Sequence, residues 1–182
     1  MWQRIEKSVS TEKAIQAPFT FFYVRDNDWS ESHNWDYWNK NFTSATSVNN
    51  TATLKTVYDP SISGFTLPKT AAFTGFTHNG ENTVTYDLFN VSGSFIKGWN
   101  FYTDGWKSGN IILFYALGIR DTASGRSSGF GFVAFVTERN DLWSSGAYSV
   151  SFSRVIDFSS SFVDPQAWDY RSYGLTIRSV KE

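Results

Sequence analysis

The sequence predicts a domain built of β-strands and ordered loops, with little helix. Aromatic residues make up 19% of the 182 residues, and Gly, Ser, Thr and Asn are abundant. Leu, Ala, Glu and Lys, the residues that favour helices, are scarce by comparison. Aromatic and β-branched side chains separated by turn-forming residues are typical of strands. A chain of this length forms one domain and buries enough apolar surface to need no metal or disulfide staple.

Charge and composition exclude several classes of function. The net charge is −1 and no basic block occurs, so we expect no nucleic-acid partner. No stretch is as long as a membrane span and no signal peptide opens the chain, so we expect no membrane insertion. The absence of cysteine excludes disulfides, thiolate zinc sites and a cysteine nucleophile. Met1 is the only methionine, from which we expect the chain to be cut from a longer protein.

The first forty residues divide into a lead-in and the start of the domain. Residues 1–17 carry a helix-like mixture of charges and are interpreted as a lead-in from an upstream stalk, with a single domain over 18–182. An apolar, aromatic run predicts a buried strand over 18–24. Residues 25–42 hold three of the eight tryptophans and predict a polar loop over a tryptophan-rich core, with a short helix near 35–41.

The middle of the chain alternates turns and apolar runs. Asp-Pro at 59–60 and Ser-Gly at 63–64 mark two turns. Residues 90–101 predict a hairpin with glycine at its corners. The most apolar run, 111–115, predicts a central strand, and 129–136 predicts a second buried strand with small residues on one face.

The stretch 142–180 organises the chain. It is dense in Ser, Tyr, Phe, Trp, Asp and Arg, and two segments within it, 155–158 and 175–177, predict buried strands. Tyr and Trp offer large, rigid contact area, and Ser and Asn offer adaptable hydrogen bonds, as a recognition surface requires. The alternative is an ordinary strand-loop-strand ending whose aromatic side chains fill the core. Composition leaves both interpretations open.

Few residues indicate catalytic or metal chemistry. His33 and His78 lie outside any metal-ligand spacing, and no nucleophile elbow, phosphate loop or dinucleotide motif occurs. Asp-Asn-Asp at 26–28 is similar to the start of a calcium loop but lacks its third ligand and its glycine. Paired carboxylates for sugar hydrolysis stay open, because a sequence gives no distance between them. Aromatic rings beside short polar side chains suit a carbohydrate and a protein epitope equally.

Five short motifs follow one another in an order that matches a known family. They are VYDP with GFTLP at 57–68, ALGIRD with SG at 116–125, LWSS at 142–145, IDF with VDP at 156–165, and YGLTIRSV at 173–180. Together they resemble the landmarks of the C-type-lectin-like domains of Bacteroidetes surface proteins, the major paralogous domain (FISUMP-like) family. Related domains occur in phage and prophage tail proteins, some of them diversified by retroelements. The resemblance extends from about residue 55 to the end of the chain.

The chain departs from the family pattern in two respects. Ser61 and Ser179 stand where relatives often carry cysteine, and Ala116 stands where the family usually has proline. These departures indicate a divergent, cysteine-free branch. The segments 73–77 and 98–102 favour the branch associated with phages.

The resemblance implies an α+β, C-type-lectin-like fold, rich in strands and loops with few short helices, whose final third displays variable side chains. Diversified members mutate adenines, typically in AAY codons, which yield Tyr, Ser, Asp, Asn, Arg, Phe or Gly but never Trp, Lys, Glu or Gln. The composition of 139–173 fits this bias. Trp143, Gln166 and Trp168 are therefore expected to be scaffold, and Arg178 is expected to close the last strand with a buried hydrogen-bonded pair.

The resemblance therefore predicts a non-enzymatic binding domain without cofactor or metal. We expect it at the host-recognition tip of a phage or prophage tail fibre, as a homotrimer that binds a bacterial surface glycan or protein. The alternatives are a domain of a bacterial cell-surface lipoprotein and, third, a glycan-cleaving enzyme. The residues expected to contact the ligand, with Trp168 as a rigid anchor, are Asn140, Asp141, Tyr148, Phe152, Arg154, Asp157, Trp168, Tyr170, Arg171 and Tyr173.

Overall fold

The computed structural model describes residues 3–5, 8–17, 20–22, 28–120, 133–134 and 136–182. Within these residues the chain forms one short α-helix, two 3-10 turns and thirteen strands, most of them two or three residues long. This strand- and loop-rich architecture with few helices is the one that the composition predicts. None of the described helices is long and apolar enough to cross a membrane.

Short elements separated by loops follow one another along the described chain. The helix α1 spans Thr11–Gln16, and the two 3-10 turns span Thr74–Phe76 and Tyr86–Leu88. The strands are β1 Gln3–Ile5, β2 Thr20–Phe22, β3 Phe65–Thr66, β4 Val91–Ser92, β5 Gly98–Tyr102, β6 Ile111–Tyr115, β7 Ile119–Arg120, β8 Val133–Ala134, β9 Arg139–Ala147, β10 Phe152–Ser159, β11 Val163–Asp164, β12 Trp168–Tyr170 and β13 Val180–Lys181.

The longest strands, β9 and β10, belong to a four-stranded antiparallel sheet in which β10 is central. One edge of β10 pairs with β9, and its other edge pairs with β11 and β12. The buried strand predicted over 155–158 is confirmed, because it lies within β10 and its Val155, Ile156 and Phe158 side chains are buried.

The prediction of a buried strand over 175–177 is wrong. This segment crosses between two neighbours, with an isolated bridge from Gly174 to Arg120 and another from Thr176 to Leu142. Because it changes partner within two residues, it forms no continuous ladder, and Ile177 is exposed. The chain then closes with β13, which pairs antiparallel with β3.

A second antiparallel sheet contains β4, β5 and β6 in that order. The hairpin predicted over 90–101 is confirmed by the pairing of β4 with β5. The prediction that 111–115 is central is wrong, since β5 is central and β6 lies at the edge. Only Phe114 of β6 is buried, whereas Ile111 and Tyr115 are 49% and 55% exposed. A run of apolar residues predicts a strand, but it does not indicate whether that strand will lie at the centre or at the edge of a sheet.

The main core lies where β5 and β10 meet the first 3-10 turn. Phe101 stacks on Phe76 with ring centroids 4.0 Å apart, and it meets Phe114 and Phe158 edge-on. A smaller cluster surrounds Trp143 of β9. Burying each such ring contributes about 1.5–3 kcal/mol relative to leaving it in water. These clusters hold the two sheets together and fix β10 in place.

The N-terminal third is made mostly of turns. Strand β2 lies inside the strand predicted over 18–24 and pairs in parallel with β1. The short helix predicted near 35–41 is wrong, because the Asn39 carboxamide accepts hydrogen bonds from the amides of Asn41 and Leu54. Such side-chain bonds replace the ones a helix would make. Of the buried strand predicted over 129–136, the described residues are 133–134, which form β8, and Val136, which lies in a turn and is exposed.

Asp59 organises the turn that follows. Its carboxylate accepts hydrogen bonds from the amides of Ser61 and Leu67 and from the Thr66 hydroxyl. Gly64 has a φ of +78°, which a residue without Cβ adopts at little cost. The turn predicted at 63–64 is confirmed, whereas the turn predicted at 59–60 lies two residues earlier, at 57–58.

Candidate functional site

Six of the ten predicted site residues come together on one face of the C-terminal sheet. They arise from the β9–β10 hairpin, from β10 and from the segment that begins with β12. We call this group the aromatic platform, and its members are Tyr148, Phe152, Arg154, Trp168, Tyr170 and Tyr173.

Strand register explains why these side chains meet. Phe152 pairs with Tyr170 across β10 and β12, and Arg154 pairs with Trp168. Because alternate residues of a strand point to the same face, these four side chains share one side of the sheet. Directly opposite side chains in an antiparallel pair lie close enough to interact. The intervening Ser153 faces the other way and is buried.

The rings of the platform form a continuous ladder. Tyr148 stacks on Trp168 with centroids 5.4 Å apart and ring planes 3° apart. Phe152 meets Trp168 edge-on at 4.5 Å and Tyr170 at 4.3 Å, and Tyr170 contacts Tyr173 at 5.3 Å. Tyr148 and Trp168 remain 38% and 48% exposed despite these contacts. The platform therefore offers apolar ring surface to solvent in a fixed geometry.

Arg154 supplies an ordered cation at the platform. Its Nε donates to the carbonyl of Thr46 and its Nη1 to the carbonyl of Gln166, both at 3.1 Å. The guanidinium lies 4.6 Å from the centroid of the Tyr148 ring. Burial lowers the pKa of Arg154, while Tyr148 and Asp164 oppose this shift. The remaining N–H groups of the fork can donate to a ligand without a new side-chain arrangement.

A bulge in β9 sets the hairpin that carries Tyr148. Trp143 pairs with Val155 but Ala147 pairs with Ser153, so three residues of β9 lie opposite one residue of β10. The Ser144 hydroxyl donates to the Arg154 carbonyl at 3.1 Å within this bulge. A bulge bends its strand and increases the local twist. Here it directs the hairpin tip towards β12.

Close approach fixes this bulge against the rest of the domain. A Cβ added at Gly146 would lie 2.2 Å from Cγ2 of Thr70, so no larger residue fits there without movement. At the hairpin tip, the Ser149 hydroxyl accepts hydrogen bonds from the amides of Ser151 and Phe152. Backbone packing and turn chemistry therefore position the platform together.

Three predicted site residues lie in the interior instead of on the surface. Asn140 and Asp141 are buried in β9, where the Asn140 carboxamide accepts a hydrogen bond from the Thr176 hydroxyl. Arg171 is also buried, and its Nη1 donates to the Asp28 carboxylate at 2.9 Å. These three side chains are therefore not part of the exposed face of the platform. Asn140 and Asp141 are neighbours in β9 and point to opposite faces, and both are buried because β9 is covered on both faces from Asn140 to Ala147.

Asp157 belongs to a buried charge cluster. It lies opposite Asp141 across β9 and β10, and the Arg139 guanidinium bonds both carboxylates. The shorter contact is to Asp157, at 2.7 Å against 3.2 Å to Asp141. One cation therefore faces two carboxylates. Burial, reinforced by the Asp157 charge, raises the pKa of Asp141 well above its usual range.

The pKa of Asp157 is also raised, chiefly by burial, while Arg139 and Asp141 oppose the shift. We assign the shared proton to Asp141, which is completely buried and has the longer contacts with Arg139. Sequence analysis missed Arg139, although the spacing Arg-x-Asp in a strand places both side chains on one face. The carboxylate pair lies within the sheet rather than across an open cleft, which is not the arrangement of a glycosidase.

Other residues expected to be scaffold lie in different environments. Trp143 is buried, as a scaffold role predicts, and the Gln166 amide donates to the Gly80 carbonyl. Trp168 is half-exposed at the centre of the platform. The expectation for Arg178 is wrong, because its side chain is exposed and its guanidinium lies 4.7 Å from the Phe114 ring centroid.

Comparison with family models, curated proteins and solved structures finds no match to this chain. The chemistry of the platform is therefore judged from its geometry. No group of three or more His, Asp or Glu side chains among the described residues is placed to hold a metal ion. The calcium-like start at 26–28 has its first two residues outside the described part, and Asp28 binds Arg171. The platform combines exposed ring faces with an ordered guanidinium, and aromatic and arginine side chains are enriched at binding surfaces.

Proposed function

We propose that this chain is a non-enzymatic receptor-binding domain whose aromatic platform contacts a bacterial surface glycan or protein. One observation carries the proposal: side chains from separate segments form one ladder of rings that stays open to solvent. Rings that serve only the core would be covered, but the side chains of Tyr148 and Trp168 are 38% and 48% exposed. Aromatic and arginine side chains are also the residue types that dominate binding energy at interfaces.

The fold that we propose is C-type-lectin-like, in the branch found on phage or prophage tails. Support comes from Ser61 and Ser179, the two positions at which the resembled family often carries cysteine. Their hydroxyl oxygens lie 2.8 Å apart, next to the pairing of β3 with β13. A cysteine pair needs such proximity, so the structure is compatible with the family's cross-link at this place. We place the domain at a virion tail tip or a cell surface, as a homotrimer.

The residue types of the platform support a variable binding surface. Tyr148, Phe152, Arg154, Tyr170 and Tyr173 all belong to the set that AAY codons yield, and they surround Trp168, which those codons never yield. Variation at five positions around a constant ring would change specificity while the strand register stays the same. The backbone bonds at the hairpin and the bulge do not depend on the identity of these side chains.

Binding to intact gut Bacteroidales cells tests the proposal. The variant Tyr148→Ser with Trp168→Ser removes the stacked pair, and Tyr115→Ser with Trp106→Ser removes two exposed rings elsewhere as a matched control. We expect the platform variant to lose at least about tenfold in affinity for strains that the wild type binds, because interface aromatic anchors carry most of the energy. The control should bind like the wild type.

Equal thermal melts must first show that both variants are folded. Periodate treatment of the cells then tests a glycan receptor, and protease treatment tests a protein receptor. If the platform variant binds as tightly as the wild type, the platform is not the binding surface. If the wild type binds no strain in a broad panel, the receptor-binding proposal itself fails.

A further inference from the structure

A second aromatic site lies on the opposite side of β12 from the platform. Turns of the tryptophan-rich segment, together with α1, enclose a cavity of about 460 Å³. Its volume falls in the range typical of small-molecule sites. We call it the tryptophan pocket, and the residues that define it are Trp29, Trp35, Tyr37, Trp38, Tyr58 and Arg171.

A buried ion pair forms the polar floor of the tryptophan pocket. The Arg171 guanidinium donates from Nη1 to Asp28 at 2.9 Å and to the Asn34 carbonyl at 2.8 Å, and from Nε to the Ser153 hydroxyl at 3.2 Å. Nη2 is not among the donors of these bonds, so its N–H groups are available to a ligand. The pairing with Asp28 cancels the charge of Arg171. The floor therefore offers hydrogen-bond donors without net attraction for an anion.

An unpartnered buried hydroxyl marks the extension of this pocket. An adjoining cavity of about 290 Å³ shares Trp29, Trp38 and Arg171 with the pocket and is also lined by Ser172. Ser172 is 2% exposed, and its Oγ has no hydrogen-bond partner in the described part of the chain. A buried hydroxyl without a partner carries a desolvation cost that a ligand hydroxyl would remove.

The rim of the pocket is apolar and open. Ile15 of α1 and Val57 line the cavity and are 64% and 91% exposed. Tyr58 lies beside them, with its ring edge-on to Tyr37 at 5.5 Å. A ligand that enters must therefore combine an apolar face for these walls with hydroxyl groups for the floor.

We propose that the tryptophan pocket binds a neutral sugar residue of a glycan. A pyranose ring has an apolar C–H face that packs on indole, and its hydroxyls both donate and accept, which matches Arg171 and Ser172. An acidic sugar would need an uncompensated cation, which the Arg171–Asp28 pair does not provide. The site goes beyond the proposed function, because its six defining residues lie outside the platform, although Tyr173 of the platform also lines the adjoining cavity.

Calorimetric titration with mannotriose, cellotriose and chitotriose tests the site, with trigalacturonate as the anionic comparison. We expect one neutral trisaccharide to bind at a single site more tightly than trigalacturonate. Trp35→Ala should weaken this binding at least about tenfold, whereas Trp106→Ala, which removes an exposed ring outside both sites, should leave it unchanged. Trp35 is partly exposed, and no ring pair within the described residues includes it, so its truncation should leave the fold intact.

Ser172→Ala separates a ligand role from a structural one. Removing a hydroxyl that has no partner should keep or raise the melting temperature while it weakens trisaccharide binding several-fold. The proposal is overturned if no neutral trisaccharide binds at up to about 10 mM, which would saturate a site of about 1 mM affinity. It is also overturned if Trp168→Ala abolishes binding and Trp35→Ala does not. That result would place the sugar on the platform and would leave the receptor-binding proposal standing.

Discussion

The aromatic platform and the tryptophan pocket use the same residue types in opposite ways. In the platform, rings on neighbouring strands stack on each other and stay open, and Arg154 bonds only to backbone carbonyls. In the tryptophan pocket, rings on turns enclose a cavity around a buried ion pair between Arg171 and Asp28. The first arrangement tolerates changes of side chain. The second depends on each polar member, since removal of one leaves a buried charge.

The two regions also differ in the range of their contacts along the chain. Arg154 pairs with Trp168 across adjacent strands, whereas Arg171 and Asp28 lie 143 residues apart in sequence. The ring contacts of the platform therefore follow from the register of neighbouring strands, although Arg154 is also held by the Thr46 carbonyl 108 residues away, and the pocket depends on contacts between distant segments throughout. This difference predicts which substitutions unfold the protein and which change only its surface.

Arg171→Ala should have the largest effect. It removes the guanidinium that lies 2.9 Å from the buried Asp28 carboxylate, and breaking a buried pair in this way costs about 3–5 kcal/mol of unfolding free energy. Arg154→Ala should cost far less, because the Arg154 side chain is only partly buried and bonds neutral carbonyls. Urea unfolding of both variants measures the contrast. Equal losses in the two variants would show that the regions do not differ as described.

A cysteine pair at Ser61 and Ser179 should have the next largest effect. The two hydroxyl oxygens lie 2.8 Å apart, and a cross-link between them closes a long loop. We expect Ser61→Cys with Ser179→Cys to oxidise and to stabilise the domain by about 2–4 kcal/mol. Free-thiol titration and unfolding with and without reductant check this. Platform binding should be unchanged, because neither serine touches the platform; failure to oxidise would contradict the geometry.

Sequence reasoning was most successful where local pattern decides the outcome. An apolar segment located the middle of β10, and glycine residues located the hairpin of β4 with β5. Phe152, Arg154 and Trp168 were each predicted as site residues, but their pairing across β10 and β12 was not predicted. Composition alone also did not distinguish the buried Asp141 and Arg171 from residues at the surface.

Contacts between residues distant in the chain could not be predicted from local sequence patterns. The pairing of Arg171 with Asp28 and the position of β6 at a sheet edge both depend on which segments become neighbours. The helix predicted near 35–41 failed because the Asn39 side chain bonds a strand-like neighbour, Leu54, fifteen residues away. In each case the deciding partner is distant in the chain, so no local pattern contains it.

The charge balance of the two buried clusters predicts different responses to pH. Arg171 faces one carboxylate, but Arg139 faces two, and burial raises the pKa of Asp141 and of Asp157. The folded protein therefore retains a proton that the unfolded chain releases near its ordinary pKa of about 4. This contribution to stability is present at low pH and is lost as pH rises through the raised pKa. Urea unfolding at several pH values between 4 and neutral should show stability that falls with rising pH.

Asp141→Asn supplies the control for this prediction. The amide keeps the shape of the side chain but carries no titrating proton, so the dependence of stability on pH in this range should flatten. Asp28→Asn breaks the other buried pair and should lower stability, which separates the loss of an ion pair from the loss of the shared proton. An unchanged slope in Asp141→Asn would show that another group carries the titration.

The smallest effect should be the coupling between Tyr148 and Trp168. Their rings are stacked at 5.4 Å with planes 3° apart, but both are open to solvent. A double-mutant cycle with Tyr148→Ser and Trp168→Ser should give about 0.5–1.5 kcal/mol in unfolding free energy, the usual range for an aromatic pair. The parallel cycle for Trp38 and Trp143, whose centroids are 5.2 Å apart, should give more, because Trp143 is buried. If Tyr148 and Trp168 couple as strongly as Trp38 and Trp143, the platform rings stabilise the fold. In that case the platform would not tolerate the changes of side chain that distinguish it from the tryptophan pocket.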